Sequence, residues 1–367
     1  MAQPRREHRS PWSLRIATVV GIPIRLHVTF LLLLVWIGTL ALREESRIFA
    51  ALIPAVFVCV VLHEFGHALV ARAFGIGTRD VTLYPIGGVA MLESRAKPAQ
   101  ELWIALAGPA VNVVIALALL PAVYAIEGRM PELAKAGTGA NFVQELFWVN
   151  VFLPVFNMIP ALPMDGGRVL RALLGLKLPE LRATQIAGAI GQAVALGMGF
   201  FGLLTGHLLL LVIALFVFVG AGHEVQASVG LSLVSGKSVA EAMLTNFRTL
   251  DSGASLNQAA EALLEGSQPA FPIVLGEQVL GVLTREGIVR GLASEGPQGY
   301  VAGQMDREYR RFSPDDPLDK VLEALSQTAG APALVFDSEE RLVGMITSEN
   351  LAEFLMVRQA LRRSDAD

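Results

Sequence analysis

Five uncharged apolar runs, all before residue 223, constrain this chain more than anything else in it. Leu26 to Leu42 is the first. Ile48 to Leu62 is the second, and it continues through His63-Glu64-Phe65-Gly66-His67 to Arg72. Leu102 to Ile126, Leu146 to Met164 and Ala183 to Gly222 complete the set. A helix rises about 1.5 Å per residue, so runs of this length cross a hydrocarbon core about 30 Å thick. The last run holds 40 residues, too many for one crossing, and a break at Thr205-Gly206 divides it in two. Six membrane helices are expected. Composition agrees, with 53% hydrophobic and 17% charged residues, against roughly 25% charged in soluble domains. A net charge of −4 offers no basic surface for nucleic acid. The single cysteine, Cys59, excludes an intrachain disulfide and a cysteine-based zinc knuckle.

Lysine and arginine set the orientation. The N-terminal tail carries Arg5, Arg6, Arg9, Arg15 and Arg25; the segment after the second helix carries Arg72, Arg79, Arg95 and Lys97; the segment after the fourth carries Arg168, Arg171, Lys177 and Arg182. The alternate segments hold only Arg43 and Arg47, then Arg129 and Lys135, then none. Both termini are therefore expected in the cytosol of a multi-pass protein of the cell's inner membrane. Residues 1–25 read as a cytosolic tail, with no small-residue cleavage site after the first apolar run. Between the second and third helices, Gly75 to Lys97 alternates short apolar pieces with Gly and Pro, a strand-and-turn signal. Its Gly87-Gly88 hairpin could hold an extended peptide by backbone pairing.

From about Ser232 the composition becomes that of a soluble domain, in two copies 62 to 63 residues apart. Gly281-Val-Leu-Thr284-Arg-Glu-Gly287 aligns with Gly344-Met-Ile-Thr347-Ser-Glu-Asn350, and Met243 aligns with Met305. Helix and strand alternate in each copy, which predicts an α/β pair packed on itself. The expected boundaries are a membrane domain over 26–224, a linker over 225–238, modules over 239–296 and 297–360, and a C-terminal tail over 361–367.

The chemistry concentrates at His63 and His67. Histidines at i and i+4 leave one face of a helix, as two ligands of a tetrahedral zinc must. Glu64 between them is placed to take a proton from an attacking water. Ionisable residues inside a membrane helix cost about 2.5–3.5 kcal/mol each on insertion scales, so they are kept for a task. Asp165 is the expected third ligand. It is the first charge after 19 uncharged residues, and Pro160, Pro163, Gly166 and Gly167 break the helix around it. Two imidazoles and a carboxylate leave a fourth position open, the pattern of a catalytic site. Cys59, one turn before His63, reads as a small buried residue.

HEFGH in a second membrane helix and Asn157-Met-Ile-Pro160-Ala-Leu-Pro163-Met-Asp165-Gly166-Gly167 in a later one resemble the site-2 protease family of intramembrane zinc metalloproteases. The soluble repeat resembles a tandem of cystathionine-β-synthase (CBS) modules, as in one branch of that family. The implied fold is an all-α membrane core of six transmembrane helices with a small β hairpin, followed by a soluble α/β CBS pair. The resemblance implies one zinc ion per chain on His63, His67 and Asp165, with Glu64 as general base and acid. Its GPxxN segment matches Gly108 to Asn112, and Asn112 and Asn157 become candidates for binding substrate backbone or an oxyanion, beside Gly87 and Gly88. The implied substrates are membrane-anchored regulatory proteins, cut in or near a transmembrane segment within the lipid bilayer.

CBS pairs often bind an adenosine nucleotide, which points to Thr284, Thr347 and Asn350. In that family an aspartate three residues after the threonine holds the ribose; here Gly287 and Asn350 stand in its place. Homodimerisation or substrate presentation by the pair is the competing expectation. A transporter or channel gated by the CBS pair, with His, Glu and Asp on its ion path, is the alternative to the protease.

Overall fold

Backbone polar groups in an apolar setting can be satisfied only within helices or paired strands, and the first part of the chain obeys this. The computed structural model describes residues 12–43, 47–84, 87–133, 137, 141–327 and 331–364. Residues 1–11 of the expected tail, residues 85–86 of the expected hairpin, Lys135 and residues 365–367 lie outside them. The chain divides into two compact units, Met1–Gln226 and Ala227–Asp367.

The first unit runs β1 (Ser13–Val19), β2 (Ile22–His27), α1 (Val28–Arg43), α2 (Arg47–Ala73), β3 (Thr78–Tyr84), β4 (Gly87–Leu92), α3 (Pro98–Glu127), α4 (Phe142–Asn157), α5 (Asp165–Gly175), α6 (Glu180–Thr205) and α7 (Leu208–Val234), whose last turns belong to the second unit. Among the described residues four helices are long and apolar enough to cross a membrane: Ala51–Ala73 of α2, then α3, α6 and α7. The other two expected spans, α1 and α4, have 16 residues each, about 24 Å of helix. Helix α6 stops at the expected break, where Gly206 takes a φ of 72° and returns its N–H to the Gly202 carbonyl. Leu203, Leu204, Leu208 and Leu209 around that turn are each about 70% exposed, a surface suited to lipid rather than water.

The segment expected as a tail carries structure from Ser13 onward. Strands β1 and β2 pair antiparallel, β2 joins β3 in parallel, and β3 pairs antiparallel with β4. The predicted lone hairpin is thus half of a four-stranded sheet in the order β1-β2-β3-β4, with β4 at an edge. Alternation explains how it docks: Ile22, Ile24 and Val81 bury against Phe65 and Ala68 of α2. The fourth apolar run also differs. Helix α4 ends at Asn157, and Asp165 opens a separate helix rather than closing that one. Pro160 and Pro163 lack the N–H groups that continued helix would need. Arg171 of α5 is ion-paired to Glu101 of α3 and Glu224 of α7, tying three helices together.

The second unit repeats one plan. β5 (Leu250–Asp251), α8 (Leu256–Glu265), β6 (Ala270–Leu275), β7 (Gln278–Thr284) and α9 (Arg285–Glu295) form the first copy. After α10 (Val301–Gln304), the second copy is β8 (Arg310–Phe312), α11 (Leu318–Gln327), β9 (Ala333–Phe336), β10 (Leu342–Ile346) and α12 (Ser348–Ser364). Each sheet has one parallel and one antiparallel pairing. The copies interlock reciprocally: Leu244 bridges to Met345 of β10, and Asp306 bridges to Val282 of β7. Ala270, Val282, Leu334 and Met345 then share one buried cluster.

Candidate metal centre

Two stripes of residues four apart build the site. On α2 these are Cys59, His63 and His67; on α3 they are Ile104, Gly108, Asn112 and Ala116, and every one is buried. Cys59 on the first stripe and Gly108 and Ala116 on the second are small enough to let the helices approach closely. Asp165 reaches the same point from the first turn of α5, where the helix N-terminus favours a carboxylate. Gly166 and Gly167 permit this, since a Cβ on either would lie within 2.4 Å of backbone atoms of residues 158–162.

The three ligand candidates converge. His63 Nε2 lies 3.1 Å from Asp165 Oδ2, His67 Nε2 lies 3.3 Å from Asp165 Oδ1, and the two Nε2 atoms are 3.1 Å apart. A tetrahedral zinc with ligands at about 2.0–2.1 Å has edges of about 3.3 Å. The donor set therefore fits that ion in both spacing and chemistry. Space for it is kept by Gly108, because a Cβ there would stand 2.2 Å from His67 Nε2 and 2.7 Å from His63 Nε2. The far ring nitrogens are held too: His67 Nδ1 meets the Ile104 carbonyl at 2.6 Å, and His63 Nδ1 meets Asn112 Oδ1 at 2.6 Å.

Glu64 is buried beside the cluster, under β4. A Cβ on Gly88 would fall 2.4 Å from its Cγ and 2.9 Å from its Oε1. The structure thus brings Glu64 and Gly88 together at the site, with Gly87 next in the strand. Asn112 is tied into the site on both sides of its amide. Its oxygen faces His63, and its nitrogen donates to Asn150 Oδ1 at 2.8 Å. Asn157 is half-buried at the end of α4. Asn150, passed over in the sequence as one more uncharged residue, is fully buried in this network.

Thr284 and Thr347 cap helices. Thr284 Oγ1 accepts from Gly287 N, and Thr347 Oγ1 accepts from Asn350 N, each at 3.2 Å. Asn350 spends its side chain on backbone, accepting from Thr347 N at 2.6 Å and donating to the Ala242 carbonyl at 2.7 Å.

Comparison with known proteins adds to this geometry. The profile of peptidase family M50 matches residues 51–130 and 123–198, and that of the CBS domain matches 239–294 and 301–357. The zinc metalloprotease MJ0392 of Methanocaldococcus jannaschii is 35% identical over 285 residues, covering 76% of this chain and 82% of its own. The Synechocystis protein sll0528 is 28% identical and covers 95% of this chain and 97% of its own. Among solved structures, the site-2 protease from Methanocaldococcus jannaschii is 41% identical, with a TM-score of 0.47, over 58% of this chain and 95% of its own.

Proposed function

The chain belongs to peptidase family M50, the site-2 proteases, and on that premise we propose that it cuts membrane-anchored regulatory proteins in or near a transmembrane segment. It is a zinc metalloendopeptidase with a helical membrane core and a C-terminal CBS pair. His63, His67 and Asp165 hold the ion, and Glu64 is the general base and acid. The observation that carries this reading is the 3.1–3.3 Å triangle of Nε2, Nε2 and carboxylate oxygen atoms, buried between membrane helices.

When bound, zinc polarises the scissile carbonyl and lowers the cost of forming hydroxide from water. The chain's own residues do the rest. His63 and His67 present their Nε2 atoms, and Asp165 offsets part of the ion's charge. Glu64 takes the proton of the attacking water and delivers it to the leaving amine. Strand β4 offers its outer edge to an extended stretch of substrate, which a helical segment supplies only after local unwinding. Gly88→Val drives a side chain into Glu64 and is expected to lower cleavage about 10²-fold, with metal content unchanged by elemental assay; an unaltered rate removes the strand from the reaction.

Helices α1 and α4 complete six crossings, and the lysine and arginine asymmetry supports cytosolic termini in the inner membrane. The CBS pair serves as a homodimerising or substrate-presenting element. Internal capping by Thr284, Thr347 and Asn350 supports that role over binding of an adenosine nucleotide.

Purified protein tests the whole reading. It is expected to carry one zinc per chain, to cleave a membrane-anchored peptide in proteoliposomes, to lose that activity to a chelator and to regain it with added zinc. Ion flux in the same vesicles without cleavage would establish a CBS-gated transporter instead.

A further inference from the structure

We infer that Asn150 of α4 is a positioning residue for the metal site, fixing through Asn112 which ring nitrogen of His63 carries hydrogen. This rests on His63 being a zinc ligand. The Leu146 carbonyl can only accept a hydrogen bond. Asn150 places its amide nitrogen 2.9 Å from that carbonyl, and the same nitrogen reaches Cys59 Sγ at 3.3 Å. Both amide hydrogens are thereby used, so Asn150 must turn its oxygen to Asn112. The 2.8 Å contact there makes the Asn112 nitrogen the donor. Asn112 is then obliged to show its oxygen to His63 Nδ1, 2.6 Å away. An oxygen facing a ring nitrogen requires hydrogen on that nitrogen, which leaves Nε2 with a free lone pair toward Asp165 and His67.

His67 reaches the same state by a shorter route, through the Ile104 carbonyl directly. His63 has two amides between its ring and the fixed carbonyl. Asn112 and Asn150 are both fully buried, so protein groups set the orientation. Without Asn150, the Asn112 amide is free to rotate and present its nitrogen. His63 would then keep its lone pair at Nδ1 and its hydrogen at Nε2, where the metal binds.

Three variants, read by zinc affinity in chelator competition on the full-length purified protein, test this. Asn150→Leu, similar in size but apolar, is expected to bind zinc about 10–100-fold more weakly. Adding Asn112→Asp to that variant restores affinity, because a carboxylate shows oxygen whichever way it turns. Asn150→Asp keeps an oxygen toward Asn112 and so retains zinc within about threefold, although its lost bond to Leu146 lowers thermal stability. Wild-type affinity in Asn150→Leu overturns the inference, and so does a double variant no tighter than the single one. If Asn150→Leu does not fold, Asn150→Asp decides: folded protein that loses zinc overturns the relay. His63→Ala separates the premise, since full zinc stoichiometry in that variant would show that His63 is not a ligand at all.

Discussion

Glu64→Gln is expected to leave zinc in place and to lower peptide hydrolysis by about 10²–10⁴-fold. Glutamine has the size and shape of glutamate, so it fits under Gly88, where space is already exhausted. It cannot accept a proton at neutral pH, and that single difference removes general-base help to water and general-acid help to the amine. The loss corresponds to about 3–5 kcal/mol of barrier at about 1.4 kcal/mol per decade. Zinc is expected to stay because the three groups proposed to hold it, His63, His67 and Asp165, do not include Glu64. Single-turnover cleavage of a membrane-anchored peptide, with elemental analysis of the same sample, checks both halves. Zinc lost along with activity would make Glu64 a holder of the ion rather than a proton carrier, and activity kept would move the base elsewhere.

What was legible in the sequence was what one helix determines locally. His63 and His67 announce themselves because an i, i+4 pair shares a face wherever the helix packs. Asp165, 102 residues from His63, stood out as the first charge after a long uncharged run. Its setting did not. The apolar run continues to Met164, yet prolines end α4 at Asn157 and give Asp165 a helix of its own. Asn150 carried no readable signal, and Gly108 showed only as the start of the GPxxN match, because their work depends on which helix lies opposite. An asparagine inside an apolar run looks the same whether it orients a ligand or caps a neighbour's carbonyl. Strands β1 and β2 were hidden for a related reason: β2 is specified by a parallel pairing with β3, more than fifty residues on. The CBS pair was the opposite case. Self-similarity at 62–63 residues reveals a repeat before any contact is known, and the structure places Leu256 and Leu318, one repeat apart, at the start of equivalent helices.

Gly108→Ala is expected to abolish stoichiometric zinc binding, a loss of more than about 10²-fold in affinity, by adding one methyl group. Helix propensity opposes this outcome, since alanine is favoured over glycine by about 1 kcal/mol in a helix interior. Geometry decides against it. The methyl carbon would sit 2.2 Å from His67 Nε2 and 2.7 Å from His63 Nε2, on the side of the rings that faces the ion. Moving the helices apart to make room would give up close packing of α2 on α3, which touch at backbone level: a Cβ on Gly66 would meet the Ala107 carbonyl oxygen at 2.7 Å. Nor can the rings swing aside without cost, since each is anchored at Nδ1, one by the Ile104 carbonyl and one by Asn112. Relief therefore requires breaking a buried hydrogen bond, at about 1–3 kcal/mol, and it also moves an Nε2 out of the triangle that a tetrahedral ion needs. Thermal unfolding of metal-free protein should show Gly108→Ala folded and less stable by no more than about 2 kcal/mol, the broken bond being partly offset by helix preference, while elemental analysis shows the zinc gone. Full zinc occupancy in that variant would mean the ion binds away from the face of α3 that Gly108 leaves open, and the triangle of His63, His67 and Asp165 would lose its claim to it.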